Sequence, residues 1–165
     1  MVTTPMLHHI VKMRNIADGK APKGHGSEGV SPGGGEGGVT RACAAAWASV
    51  EGYYAMLAEA YTALVATGET KGSGPRRLAV DGSGGVGAVH MPKLVAAVNA
   101  ASVAVGGGEA LAVHIVNGVG ECALNDGCGA EHVQKGRLPP ANVSVELGFG
   151  GKRLCSFDGD ADRLV

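Results

Sequence analysis

The sequence lacks an excess of charge of either sign. It contains 14 lysines and arginines against 15 aspartates and glutamates, which gives a formal net charge of -1 at pH 7. Nucleic acids and anionic membranes attract proteins that carry a surplus of positive charge, and this chain has none. We therefore expect neither nucleic acid nor a membrane as a partner.

The sequence also lacks a long hydrophobic run and any Cys-x-x-Cys pair. No apolar stretch approaches the roughly 20 residues that span a bilayer, and the first residues do not form a secretion signal. Irregularly spaced cysteines are typical of reduced thiols in a cytoplasmic protein, which is the location we expect. Cys122, Cys128 and His132 are not expected to bind zinc, because no cysteine pair anchors the site. The four cysteines are Cys43, Cys122, Cys128 and Cys155.

Glycine, in contrast, is abundant, with 29 among the 165 residues. Much of this excess lies between residues 19 and 38, together with Lys, Ser, Pro and Glu and almost nothing apolar. Such a segment cannot bury enough surface to offset its conformational entropy. Residues 17–39 are therefore predicted to be a flexible, disordered insertion, and the remaining chain is long enough for one domain with a hydrophobic core.

Two helices are predicted before residue 70. Thr4 followed by Pro5 favours a helix start with Thr4 as the cap. The second helix is predicted over 40–67, with Gly68 ending it; Gly52 weakens its middle, so a start near Ser49 is the alternative. We interpret its apolar stripe as a core face. The stripe consists of Trp47, Val50, Tyr54, Leu57, Tyr61 and Leu64.

The second half of the chain alternates strands with helices. Strands are predicted at 78–81, 111–116 and 153–157, a helix from about Pro92 to Val103, and a short alternating segment at 143–147. This alternation predicts a three-layer α/β domain with a mainly parallel sheet.

The turn at residues 82–87 formally matches the dinucleotide fingerprint Gly-x-Gly-x-x-Gly. A dinucleotide site would need an acidic residue at the end of the next strand, where Asn117 stands instead. We therefore favour a tight βαβ turn in which glycines let helix and strand pack closely.

The carboxyl-terminal segment has three aspartates, Asp158, Asp160 and Asp162, that alternate with small residues. Alternate side chains of an extended segment share one face, so the carboxylates are expected to converge. Three neighbouring anions repel each other unless a cation lies among them, and ligands that are all oxygen favour Mg²⁺ or Ca²⁺. A calcium-binding EF-hand would need Gly where Arg163 stands. A solvated acidic turn is the alternative that involves no metal.

Arg163, which directly follows the three aspartates, indicates that the site also binds a phosphate group. A guanidinium holds phosphate oxygens in a bidentate fork, and Mg²⁺ completes its shell with phosphate oxygens. We therefore predict phosphoryl transfer, with the three aspartates as metal ligands and Arg163 as the catalytic candidate. A glycosyltransferase that uses an Asp-x-Asp pair remains an alternative.

The segment from Ser156 to Arg163 resembles the metal-binding loop of the phosphohexomutase family. The preceding Cys155 makes the lead-in similar to that of one branch of the family, the phosphoacetylglucosamine mutases. Four other segments resemble that branch in the same order, so that the resemblance covers most of the chain except the glycine-rich insertion. They lie at residues 3–8, 51–54, 80–88 and 125–140.

The resemblance implies a phosphohexomutase-type fold, with residues 1–16 as the tail of domain 1, 40–70 as a connecting helix and 71–165 as domain 2. It implies interconversion of N-acetylglucosamine 6-phosphate and 1-phosphate through a phosphoserine, on the way to UDP-N-acetylglucosamine. Mg²⁺ would be held by the three aspartates, the substrate would be a phosphorylated amino sugar, and Arg163 would contact the transferring phosphoryl group.

The chain also departs from that pattern. Glu131 stands where the family usually has Asp, and Gln134 where it usually has Lys. No serine of the chain is followed by His-Asn-Pro, the family's phosphoserine signature. We therefore expect a fragment of a larger enzyme that is inactive alone. A non-catalytic remnant and another phosphohexomutase (a phosphoglucomutase or phosphomannomutase) remain the alternatives.

Overall fold

The structure is a computed structural model that describes residues 2–20, 39–66, 75–143 and 153–165. Most of the predicted insertion, at 21–38, lies outside the described residues. Gly68, the predicted end of the second helix, and positions 144–147 of the predicted alternating segment lie outside them as well.

The described residues form one three-stranded sheet in which both strand pairs are parallel, in the order β2-β1-β3. In the register of the sheet, Asp81 lies opposite both Val116 and Ser156, so all three strands end at the same edge. The predicted α/β class and parallel sheet are confirmed. The strands are β1 (Arg76–Asp81), β2 (Leu111–Val116) and β3 (Leu154–Ser156).

Helix α1 (Thr4–Ala17) has Thr3 as its N-cap, and the prediction of Thr4 was wrong. The Thr3 hydroxyl oxygen accepts the N–H of Met6 at 3.3 Å. The hydroxyl of Thr4 donates to Asp160 instead. Pro5 therefore falls in the first turn, where its missing N–H leaves no helical hydrogen bond unmade.

The predicted helix over 40–67 is two helices, α2 (Arg41–Trp47) and α3 (Val50–Ala66). Ser49 starts the second one, because its hydroxyl oxygen accepts the N–H of Gly52 at 2.9 Å. A side chain at Gly52 would collide with the main chain of α2, so glycine lets the two helices approach closely. The alternative start near Ser49 was therefore the correct one.

The apolar stripe of these helices is only partly a core face. Tyr54 is buried, whereas Leu64 is 70% exposed. A hydrophobic core cluster formed by Met13, Ile16 and Ala44 joins α1 to α2.

Helix α4 (Val86–Ala104) begins six residues before the predicted start, so that Pro92 lies inside it. The prediction failed because the glycine-rich turn leads directly into the helix. The helix packs against α3 and β2. Contrary to the expectation from the sequence, α4 is long and apolar enough to span a membrane, although the core helix of a soluble protein passes the same test. The last helix, α5 (Ala130–Gly136), follows a loop that starts at the end of β2.

Candidate metal centre

The three aspartates lie on a tight hairpin that follows β3. Its ends are joined by two main-chain hydrogen bonds between Ser156 and Val165, of 2.9 and 3.1 Å. At its tip, the N–H of Ala161 bonds to the carbonyl oxygen of Asp158 at 3.1 Å, and Ala161 has a φ of 58°. We call residues 158–163 the aspartate loop.

The carboxylates of Asp158, Asp160 and Asp162 converge as predicted, with one oxygen from each lying within 4.8 Å of the others. The route differs from the prediction, because the loop is a turn rather than an extended segment. The left-handed backbone at Ala161 reverses the chain and brings the third carboxylate back toward the first. Asp158 is buried, whereas Asp160 and Asp162 are exposed.

Asp158 is the anchor of the loop. One of its carboxylate oxygens accepts the main-chain N–H groups of Asp162 and Arg163, both at 3.1 Å, and the other accepts the Nε–H of Arg163 at 2.7 Å. Burial acts to raise the pKa of Asp158, but the hydrogen bonds from Arg163 outweigh it and hold the pKa below its usual value.

Negative charge is crowded at the exposed side of the loop. The pKa of Asp162 is raised mainly by its hydrogen bond to Asp158, and to a smaller extent by lost solvation and by the nearby charges of Asp158 and Asp160. A raised pKa means that the site favours additional positive charge, which a proton or a metal cation can provide.

The donor set fits a hard divalent cation. All three side chains offer carboxylate oxygens, the ligands that Mg²⁺ and Ca²⁺ prefer. Octahedral Mg²⁺ binds oxygen at about 2.1 Å, so opposite ligands stand about 4.2 Å apart. The three carboxylate oxygens lie within 4.8 Å of one another, which places them in the range of one shared cation. Asp158, Asp160 and Asp162 are therefore suitable ligands for Mg²⁺.

Arg163 lies between the aspartate loop and α5. Besides its bond to Asp158, its terminal nitrogen lies 3.8 Å from a carboxylate oxygen of Glu131, in the first turn of α5. Glu131 is also paired with Lys135 at 2.6 Å. The Arg163 side chain remains 50% exposed, so one side of the guanidinium faces solvent beside the carboxylates.

A buried carboxylate, that of Asp81, supports the aspartate loop and was not predicted as a site residue. Asp81, at the end of β1, is fully buried and accepts hydrogen bonds from the main chain of Ser83 and Gly129 and from the side chain of Asn117. Its carbonyl oxygen accepts the N–H of Phe157 at 3.0 Å, directly before the aspartate loop. The sequence feature that could have predicted its role is an aspartate at the end of an apolar strand.

The glycine-rich turn at 82–87 packs against the aspartate loop. The N–H of Val86, at the start of α4, bonds to the carbonyl oxygen of Gly159 at 3.0 Å. A side chain on Gly85 would collide with the main chain of Gly159. These contacts support the prediction of a packing turn, because the glycines give the close approach that the loop requires.

The candidate zinc residues form no metal-ligating cluster in the described part of the chain, where the aspartates are the one such group. Cys122 and Cys128 do lie close together, with 3.4 Å between their sulfur atoms. The Nε2 of His132, however, lies 3.3 Å from the carbonyl oxygen of Pro139.

Comparison with known proteins identifies the family of the chain. Residues 43–165 match the family model described as phosphoacetylglucosamine mutase AMG1, domain II. The chain is 30% identical over its full length to the phosphoacetylglucosamine mutase of Homo sapiens, and 42% identical over 94 residues to that of Oryza sativa subsp. japonica. These alignments cover 24% and 14% of the two relatives, and the rice alignment covers 54% of this chain. The chain thus spans about a quarter of the length of the human relative.

Two solved structures share the fold. One is an Aspergillus fumigatus N-acetylphosphoglucosamine mutase in complex with GlcNAc-6P and magnesium, with 27% identity and a TM-score of 0.63 over 99% of this chain and 26% of that one. The other is an N-acetylglucosamine-phosphate mutase of the alpha-D-phosphohexomutase superfamily, in its substrate complex. It has a TM-score of 0.67 over 99% of this chain and 24% of that one, and at 24% identity it supports the fold alone. Because the family model covers most of the sequence, the chain belongs to the family of phosphoacetylglucosamine mutase AMG1, domain II.

Proposed function

We propose that this chain provides the magnesium site of a phosphoacetylglucosamine mutase, which interconverts N-acetylglucosamine 6-phosphate and N-acetylglucosamine 1-phosphate through a phosphoserine. The observation that carries the proposal is the convergence of three aspartate carboxylates, within 4.8 Å of one another, next to Arg163. The Aspergillus fumigatus relative, bound to GlcNAc-6P and magnesium, supports both the metal and the substrate class.

Asp158, Asp160 and Asp162 would hold the ion, and Asp158 would also keep the loop closed through its bonds to Arg163. Bound Mg²⁺ would supply electrostatic stabilisation of the charge that builds up on the phosphoryl group as it is transferred. The exposed side of the Arg163 guanidinium would bind phosphate oxygens, which a planar fork of donors suits.

The proposed substrate is a phosphorylated amino sugar, and the proposed role is a step toward UDP-N-acetylglucosamine in the cytoplasm. The 165-residue chain would not catalyse the reaction alone, because none of its serines lies in a Ser-His-Asn-Pro sequence. Phosphoserine and sugar recognition would have to come from other parts of the enzyme.

Cation binding by the chain tests the proposal. We expect the chain to bind Mn²⁺, a paramagnetic substitute for Mg²⁺, in an electron paramagnetic resonance titration, and Mg²⁺ to displace it. Asp160→Asn and Asp162→Asn should each weaken binding at least about tenfold, because each removes a charged ligand. The control Asp18→Asn changes an exposed aspartate that pairs with Lys20, away from the aspartate loop, and should leave binding unchanged. Equal Mn²⁺ binding by the parent chain and Asp160→Asn would refute the magnesium site.

A further inference from the structure

The first turn of α1 contacts the aspartate loop through Thr4. The Thr4 hydroxyl donates a hydrogen bond of 2.6 Å to a carboxylate oxygen of Asp160, and the Thr4 N–H donates one of 3.0 Å to the Asp160 carbonyl oxygen. The two residues are 156 positions apart in the sequence. Asp160 is therefore held at both its main chain and its side chain by one residue of another element.

The local structure of α1 explains why Thr4 is available for this contact. The first N–H groups of a helix have no partner within the helix, so the Thr4 N–H can bond outside it. Capping is done by Thr3, which leaves the Thr4 hydroxyl without a role in the helix. Both donors can thus serve the loop.

Charge favours the same arrangement. The amino-terminal end of a helix carries a partial positive charge, which attracts a carboxylate placed against it. Helix α1 has no acidic residue in its own first turn, so Asp160 supplies the carboxylate from outside. The neighbouring Ala161 lines a pocket together with Thr3, Pro5 and Phe157, so the loop and the start of α1 border the same cavity.

We propose that Thr4 is a positioning residue that orients the Asp160 carboxylate for the divalent cation; this inference rests on the proposed magnesium site. A carboxylate that binds a metal through one oxygen is commonly fixed by a hydrogen bond to the other, and loss of such a partner typically lowers metal affinity about 10–100-fold. Asp160 is exposed, so it depends on a contact of this kind more than the buried Asp158 does.

Three variants of Thr4 and a control test the inference on the full 165-residue chain. Thr4→Val keeps the branched shape and removes the hydroxyl, and we expect it to weaken Mn²⁺ binding about tenfold. Thr4→Ser keeps the hydroxyl and should stay within about twofold of the parent chain. Thr62→Val removes a hydroxyl that bonds only within its own helix, to Ala58, and should change nothing. Thr4→Ala also removes the hydroxyl but introduces a residue with high helix propensity, which separates loss of the hydroxyl from any destabilisation of α1 by valine.

Thermal unfolding in the presence of a chelator shows whether each variant is folded before Mn²⁺ is added. A second readout is the double variant Thr4→Val, Asp160→Asn, in which loss of the hydroxyl should have no further effect on residual Mn²⁺ binding. Parent-like binding by folded Thr4→Val or Thr4→Ala, or equal weakening by Thr4→Ser and Thr4→Val, would overturn the role of Thr4.

The two proposals fail in different ways. If Asp160→Asn loses Mn²⁺ affinity while Thr4→Val does not, the magnesium site stands and only the positioning role is refuted. If the parent chain itself binds no Mn²⁺, both are refuted.

Discussion

Arg163 holds both oxygens of the Asp158 carboxylate, one through its main-chain N–H at 3.1 Å and the other through its side-chain Nε–H at 2.7 Å. The residue that follows the three aspartates thus closes the loop that carries them. Its side chain has a structural role beside the proposed contact with phosphate.

The first prediction concerns Arg163→Lys. Lysine keeps the positive charge but has no donor at the position of Nε, so the bond to the buried Asp158 oxygen is lost. The Arg163 side chain is half exposed, so solvent screens the pair, and we expect Mn²⁺ binding to weaken only about fivefold. The measurement is the same Mn²⁺ titration, with Arg153→Lys, at an exposed position before β3, as the matched control. If both variants bind like the parent chain, Arg163 does not organise the loop.

The second prediction concerns Gly85→Ala. Its new methyl group would collide with the main chain of Gly159, which cannot rotate away as a side chain can. We expect overpacking to lower the free energy of unfolding by about 1–3 kcal/mol and to weaken Mn²⁺ binding, because the loop must shift. Urea unfolding monitored by circular dichroism measures the first effect.

Gly108→Ala is the control for this change. Nothing lies within 4 Å of a side chain at Gly108, so the same substitution should leave stability within about 0.5 kcal/mol of the parent chain. Equal destabilisation by the two variants would show that contact with Gly159 is not the cause of the loss.

The third prediction concerns the buried Asp81. The Asp81 carboxylate accepts three hydrogen bonds. In Asp81→Asn, the amide NH₂ replaces one of the two oxygens and would face an N–H group that is itself a donor. Hydrogen bonds to a buried charge are each expected to contribute about 1.5–3 kcal/mol, so we expect a loss of at least about 2 kcal/mol in urea unfolding. Asp18→Asn, an exposed aspartate, should cost less than about 0.5 kcal/mol. A loss for Asp81→Asn as small as that of Asp18→Asn would contradict a supporting role.

The parts of this site that were predictable from sequence are local in the chain. The convergence of Asp158, Asp160 and Asp162 was predictable from their spacing, although a turn at Ala161 produces it, and the three strand positions follow from short apolar runs. Thr4 could not be predicted as a partner of Asp160, because the contact depends on where α1 docks against the loop. The start of α4 was predicted wrongly for a similar reason. Its first turn bonds to Gly159, which is distant in the sequence, whereas Pro92 is a typical first-turn residue and predicts the later start.

The last prediction concerns the reactivity of Cys128. The pKa of the Cys128 thiol is raised to about 11, mainly by burial and secondly by the hydrogen bond and the proximity of Cys122. Only the thiolate reacts with iodoacetamide, so at pH 8 about one molecule in a thousand would be reactive at Cys128 even if the reagent could reach it. Cys43 is exposed and should be alkylated first, with the sites distinguished by peptide mass spectrometry. In urea the two cysteines should react at similar rates. Because the folded pKa is raised, stability from this thiol is complete below its unfolded value near 9 and is lost between about pH 9 and pH 11. Labelling of Cys128 as fast as Cys43 in the folded chain at pH 8 would show that the thiol is neither buried nor protonated as the structure indicates.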